Sequence, residues 1–258
     1  VAGVHRLEAT GTAGDPAGPV HRLDPRAKVC ALLAVTLVAV SAPLSAWPVL
    51  AGCAATLAVV ALVARVPAAT VARRASVVLP LVLLAAASVP FVRHGGETWA
   101  VGPLTVSEAG LALFGAAACK AVIGTVSAVL LGATTGFPAT LRALRALRVP
   151  ALLVLIAGFT YRYAFVIAAE VRRMRTSLTA RGYRPRTALQ AASLGRMATA
   201  LFLRAHARGE RVYVAMLARG WSGAMPARAP LAFGRADALF VGLVAGVPLA
   251  LRIGEVAA

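Results

Sequence analysis

The sequence predicts an all-α integral membrane protein: about five transmembrane helices plus a cytoplasmic region of long crossed helices. Three observations carry that reading. Hydrophobic residues make up 60% of the 258, and the mean hydropathy is +0.80. Charged residues are only 14%, whereas a soluble domain is nearer a quarter charged. The positive charge is also unevenly placed. Residues 134–228 hold 16 arginines and 2 glutamates, net +14, which leaves +4 of the total +18 for everything else. In a soluble chain such charge would point to nucleic acid. In a membrane protein Lys and Arg collect on the cytoplasmic side, so the expected partner is a lipid bilayer and no nucleic acid.

Residues 1–28 read as a cytoplasmic N-terminal segment. The first twenty are rich in Gly, Pro and His and lack periodicity, as disordered segments do. Nearly thirty residues precede the first apolar run and it carries no small-residue cleavage site, so no secretory signal is expected. Four spans are expected within 29–133: Val29 to about Leu44, Val49 to Ala64, Val77 to Val92, and about Ala109 to Ala133. A tight turn at Pro43–Pro48 joins the first two, and Pro80 and Pro90 read as kinks in the third. A polar loop follows at 93–105, and Thr105-x-x-Glu108 reads as a capping box opening the fourth span. The charge rule sets the orientation. Arg22, Arg26 and Lys28 place the N-terminus inside, and Arg65, Arg73 and Arg74 place the second loop inside. Lys120 falls in the middle of the fourth span. A charge there is a functional candidate by default; the alternative is a polar seam where backbone carbonyls partner it.

Residues 134–228 form the arginine-rich region. Leu141 to Arg148 alternates Leu and Arg as an amphipathic basic helix at the lipid surface. Residues 150–167 are apolar enough to suggest a further span, but a crossing there would put seven arginines outside, against the charge rule. Tyr161-Arg162-Tyr163 also interrupts the run before the roughly 20 residues a span needs. One long helix over 150–181 is therefore expected, lying along the membrane at its start, and a second over about 187–219. Each ends in the same phrase: Ala180-Arg181-Gly182-Tyr183 and Ala218-Arg219-Gly220-Trp221. In both, a glycine suits a left-handed helix cap, and a proline (Pro185, Pro226) soon stops the helix. A cation at a helix C-terminus is ordinary chemistry taken once; two copies with the same aromatic follower are not. Ala207-Arg208-Gly209 is a decoy, because the helical pattern runs on through it. Two such ends, each a helix length from the next, suit two equivalent partners better than one active site. A last span, Leu239 to Leu251 within 229–258, leaves the C-terminus outside.

Several functions are disfavoured. Cys30, Cys53 and Cys119 lie in apolar segments and the four histidines are scattered, so no metal site is expected. No phosphate-binding Gly-x-x-x-x-Gly-Lys-Ser/Thr loop is present, and no catalytic constellation lies in the spans. Neither catalytic residues nor a cofactor are expected in this chain. An ion-coupled secondary transporter would want intramembrane acids, and the four spans hold none deeper than Glu108.

The entry around Asp24-Pro25-Arg26-Ala27-Lys28, the Leu-Arg segment, the run Ala157 to Tyr163 and the two Ala-Arg-Gly ends resemble the T component of energy-coupling-factor (ECF) transporters. Within that family the resemblance is to the cobalt-system branch, CbiQ, over about residues 20–228. It implies that residues 134–228 are a coupling domain whose two helix ends dock on two ABC ATPase subunits. The docking residues would be Ala180, Arg181, Gly182, Ala218, Arg219 and Gly220. The arginines would meet acidic residues, and the small residues would allow close approach. It also implies a separate substrate-capture membrane subunit, ATP hydrolysis only on the partners, and residence in the cell's plasma membrane. Cobalt is the expected substrate, with nickel or a vitamin such as biotin as the alternative.

Overall fold

The computed structural model describes residues 18–43, 46–86, 98–101, 104–183, 191–223 and 232–257. The expectations for the first seventeen residues, for Pro90, Pro185 and Pro226, and for most of the 93–105 loop lie outside them. The chain divides into two compact units, residues 1–147 with 231–258, and residues 148–230.

The first unit begins with a short turn of helix, α1 (Pro19–Arg22), and then α2 (Pro25–Ser41). The start of α2 is fixed locally: Asp24 caps it by accepting the Arg26 N–H at 2.8 Å, and Pro25 occupies the first turn, where a missing N–H costs nothing. Helix α3 (Trp47–Val63) likewise carries Pro48 in its first turn. It ends in a left-handed cap at Arg65, φ +49°, with Val66 N–H reaching back to Ala61 C=O at 3.1 Å. Helix α4 (Ala68–Ala86) starts well before the apolar run expected from Val77, so Arg73 and Arg74 lie on a helix and not in a loop. Pro80 lies inside it.

Where a polar loop was expected, β1 (Thr98–Val101) and β2 (Leu104–Ser107) pair antiparallel, with Val101 opposite Leu104. Thr105 sits in β2 and α5 (Glu108–Thr134) begins after it, so Thr105 does not cap that helix. A basic helix, α6 (Phe137–Ala146), buries Ala143 and exposes Arg142 and Arg145. The last helix, α9 (Arg235–Ala257), has 23 residues and is longer than the expected 239–251 span. The charges at its two ends, Arg235 and Asp237 before the apolar run and Arg252 and Glu255 after it, lie on the helix and bound that run.

The core of this unit lies between α2, α3, α5 and α9 and is built from Val35, Leu57, Leu130, Val244 and several fully buried alanines. Small residues let these backbones approach, as expected where lipid supplies no hydrophobic drive between helices. Gly52 of α3 shows this directly: a Cβ there would stand 2.4 Å from Leu251 Cδ1 of α9.

The second unit consists of α7 (Ala151–Ala180) and α8 (Ala191–Ala218). At 30 and 28 residues they extend about 45 Å and about 42 Å. Helix α8 runs unbroken through Gly195 and Gly209, so neither glycine folds it back. Among the described residues, three helices are long and apolar enough to cross a membrane: residues Gly110–Thr134, Ala151–Ala180 and Arg235–Glu255, with Trp47–Val63 a shorter apolar helix. By length and composition α7 thus does qualify, Tyr161-Arg162-Tyr163 notwithstanding. The fold is that of an all-α membrane protein.

Candidate functional site

The two Ala-Arg-Gly phrases fold into the same helix end. In α7, Gly182 has φ +76°; its N–H reaches Thr179 C=O, and the Tyr183 N–H reaches Leu178 C=O, both at 3.0 Å. In α8, Gly220 has φ +77°; its N–H reaches Leu217 C=O at 2.9 Å, and the Trp221 N–H reaches Met216 C=O at 3.0 Å. Both are complete Schellman motifs, in which two backward hydrogen bonds use carbonyls the helix leaves free. The sequence reason is local: only glycine takes a positive φ without strain, and the residue after it supplies the N–H of the longer backward bond. Arg181 and Arg219 are the cap residues, one position past the final helical alanine. Ala180, Arg181, Gly182, Ala218, Arg219 and Gly220 are all exposed, and no atom lies within 4 Å of where a Cβ would stand on either glycine. Each end therefore presents a guanidinium beside a bare stretch of backbone, open to whatever approaches. The decoy glycine, Gly209, has no positive φ and lies in the α8 interior.

The surroundings of the two ends differ. Arg181 borders an open groove lined by Met174 and Leu178 of α7 and Ser193, Arg196 and Met197 of α8. Beside it Glu170 pairs with Arg173 on its own helix and with Arg204 of α8 at 2.6 Å, which ties the two helices together. Residues 166–170 of α7 face 201–211 of α8, and 173–181 face 193–204, so the helices run in opposite senses. Arg219 lies 23 residues beyond Arg196, about 34 Å along a continuous helix, and is not drawn into that groove. Near it Trp221 packs edge-on against Tyr213, centroids 6.2 Å apart.

Lys120 is held by the end of another helix. Its Nζ donates to Ala42 C=O at 2.7 Å and to Val40 C=O at 3.0 Å, satisfying carbonyls at the α2 terminus. Arg252 of α9 donates to Ser41 C=O at 3.2 Å at the same terminus.

Sequence reasoning missed a polar cluster at the opposite end of α2. Asp237, in the first turn of α9, accepts the Asp24 N–H at 2.7 Å and the Gly234 N–H at 2.8 Å. Lys28, which had read as a flanking topology charge, is only 2% exposed, and its Nζ donates to Thr134 C=O at 3.0 Å. The signal that could have found Asp237 is an acid at the third position of an apolar helix, the capping-box place. Among the described residues no group of His, Cys, Asp or Glu could hold a metal ion.

Residues 17–230 match the CbiQ family, described as cobalt transport protein. The chain belongs to that family. It is 35% identical over 136 residues to the cobalt transport protein CbiQ of Rhodobacter capsulatus, covering 48% of this chain and 56% of that protein. It is 33% identical over 117 residues to an uncharacterized protein of Methanocaldococcus jannaschii, covering 45% and 42%. A putative ABC transporter ATP-binding protein of Bifidobacterium longum is 30% identical over 191 residues, 67% of this chain and 24% of that larger protein. The chain thus aligns with about half the length, or less, of these relatives.

Proposed function

We propose that this chain is the energy-coupling T subunit of an ECF-type importer, linking two cytoplasmic ABC ATPases to a membrane subunit that captures cobalt. The observation that carries the reading is the pair of identical, exposed, arginine-capped helix ends well apart along α8. One catalytic centre would need them together; two copies of one ATPase would need them apart. The match to a quarter of a protein named for ATP binding supports the link to ATP-driven transport. ATP-driven closure of the ATPases moves the helix ends, and the coupling helices pass that motion to the capture subunit.

The polar contacts also favour a topology. Lys28 with Thr134, and Asp24 with Asp237, bring the starts of α2 and α9 and the end of α5 to one end of the first unit. The chain between Thr134 and Arg235 therefore crosses the membrane an even number of times. Helix α8, with Arg196, Arg204, Arg208 and Arg211, is too charged to cross, so α7 does not cross either, long and apolar as its start is. Five spans, α2 to α5 and α9, put the arginine-rich unit in the cytoplasm of the plasma membrane, with the C-terminus outside. The chain itself holds no cofactor and catalyses nothing.

The test is uptake by vesicles containing this chain, the two ATPases and the capture subunit. The reading predicts ATP-dependent accumulation of cobalt that stops when any one component is omitted. Accumulation of nickel or biotin instead would keep the coupling role and change the substrate. Uptake by this chain alone, driven by an ion gradient, would overturn it.

A further inference from the structure

The chain leaves its first unit after Leu147 and returns to it at Leu231. Both connections are rooted on the start of α2. The outgoing one begins at Thr134, the last residue of α5, whose carbonyl is held by Lys28. It continues through α6, which also packs on α2. The returning one reaches Gly234 three residues after Leu231, and Asp237 holds Gly234 N–H and Asp24 N–H with its two oxygens. Asp24 and Asp237 are buried as Lys28 is, at 6% and 5% exposure against its 2%, and both carboxylates attract its ammonium group.

A buried ammonium held by backbone carbonyls, in the field of two buried carboxylates, is a poor choice for stability alone, because apolar side chains of similar size serve as well or better. What such a cluster supplies is directional stiffness. Each backbone group it holds has one geometry, and slippage by a turn would strand a charge.

On the coupling reading above, we propose that Lys28 and Asp237 are positioning residues for transport: they fix both roots of the coupling unit on α2, so that its movement reaches the membrane helices instead of being absorbed in the connecting segments. The cluster would then matter to the yield of transport per ATP and not to ATP hydrolysis itself.

The experiment uses the complete transporter in vesicles and reads three quantities: ATPases retained, ATP hydrolysed and cobalt imported. For Lys28→Met and for Asp237→Asn the expected result is retained ATPases, ATP hydrolysis near the wild-type rate, and cobalt imported per ATP reduced about tenfold. The double variant should fall no further than the worse single one, since both belong to one assembly. Exposed Arg22→Gln should leave the ratio unchanged. If Lys28→Met fails to fold, Asp237→Asn, which keeps the side-chain shape and one accepting oxygen, carries the test. An unchanged ratio in both variants overturns the inference and leaves the coupling reading standing. Import and hydrolysis falling together with the amount of assembled complex would assign the cluster to folding, and would overturn the inference too. A wild-type chain that retains no ATPase overturns the coupling reading and this inference with it.

Discussion

In the first unit, α2, α3, α5 and α9 enclose Val35, Leu57, Leu130 and Val244, whereas no residue of α7 and no described side chain of α8 is buried. Leu152 and Ile156 of α7, and Phe202, Leu203 and Val214 of α8, stand more than half exposed. The first unit has a core of its own. The second is two long helices tied by an exposed ion-pair triad, with apolar side chains left exposed among the described residues. Such exposed apolar faces suit contacts with other molecules, as the coupling role proposed above requires.

That contrast can be broken by substitution. Leu57→Ala or Leu130→Ala removes a side chain at 2% or 0% exposure and should cost about 2–5 kcal/mol. Phe202→Ala should change the stability of the chain by no more than about 0.5 kcal/mol; if the proposed capture subunit docks on this exposed face, it should also weaken that attachment. Thermal unfolding in detergent distinguishes them; equal losses at both places would mean that the second unit has a hidden core.

The two capped ends and the decoy sharpen the contrast further. Gly182→Ala or Gly220→Ala forces a side chain into left-handed backbone, at about 1–2 kcal/mol. Gly209→Ala, in open space within α8, should gain up to about 1 kcal/mol. The same Ala-Arg-Gly phrase would thus give opposite shifts in Tm, and shifts of one sign would show that the caps are not what holds the glycines.

A small effect is expected at Glu170→Gln. The pair joins α7 to α8, but both arginines are more than 60% exposed, so solvent screens it and the loss should be slight and shrink as salt is added. A larger, salt-independent loss would mean that the triad is shielded from solvent in the assembled protein.

The legibility of this chain in its sequence follows the range of the interactions. The Arg-Gly-aromatic ends could be read because a Schellman motif is written in six consecutive residues. The long helices and the amphipathic α6 were legible from periodicity and charge. The joint was not: Asp24 and Asp237 stand 213 positions apart, and nothing local marks Lys28 as buried when a basic residue beside a span has an ordinary explanation. Helix α4 was read too short because Arg73 and Arg74 interrupt its hydropathy, although arginine is a good helix former. The β1–β2 hairpin was missed because its strands have four residues each and lie among loop-forming residues.

The central claim, that two separated arginine-capped ends each dock an ATPase, is tested most directly by co-purifying the ATPases from membranes with Arg181→Glu, Arg219→Glu and the double variant. A guanidinium offers a planar fork to a carboxylate, and losing it at a buried interface costs about 2–5 kcal/mol and leaves the partner's charge unpaired. Each single variant should retain less ATPase and the double variant none, while Arg208→Glu in the decoy retains the wild-type amount. Lysine at position 181 or 219, which keeps the charge without the fork, should restore attachment only in part. A double variant that inserts normally and still carries its full complement of ATPases would contradict the account.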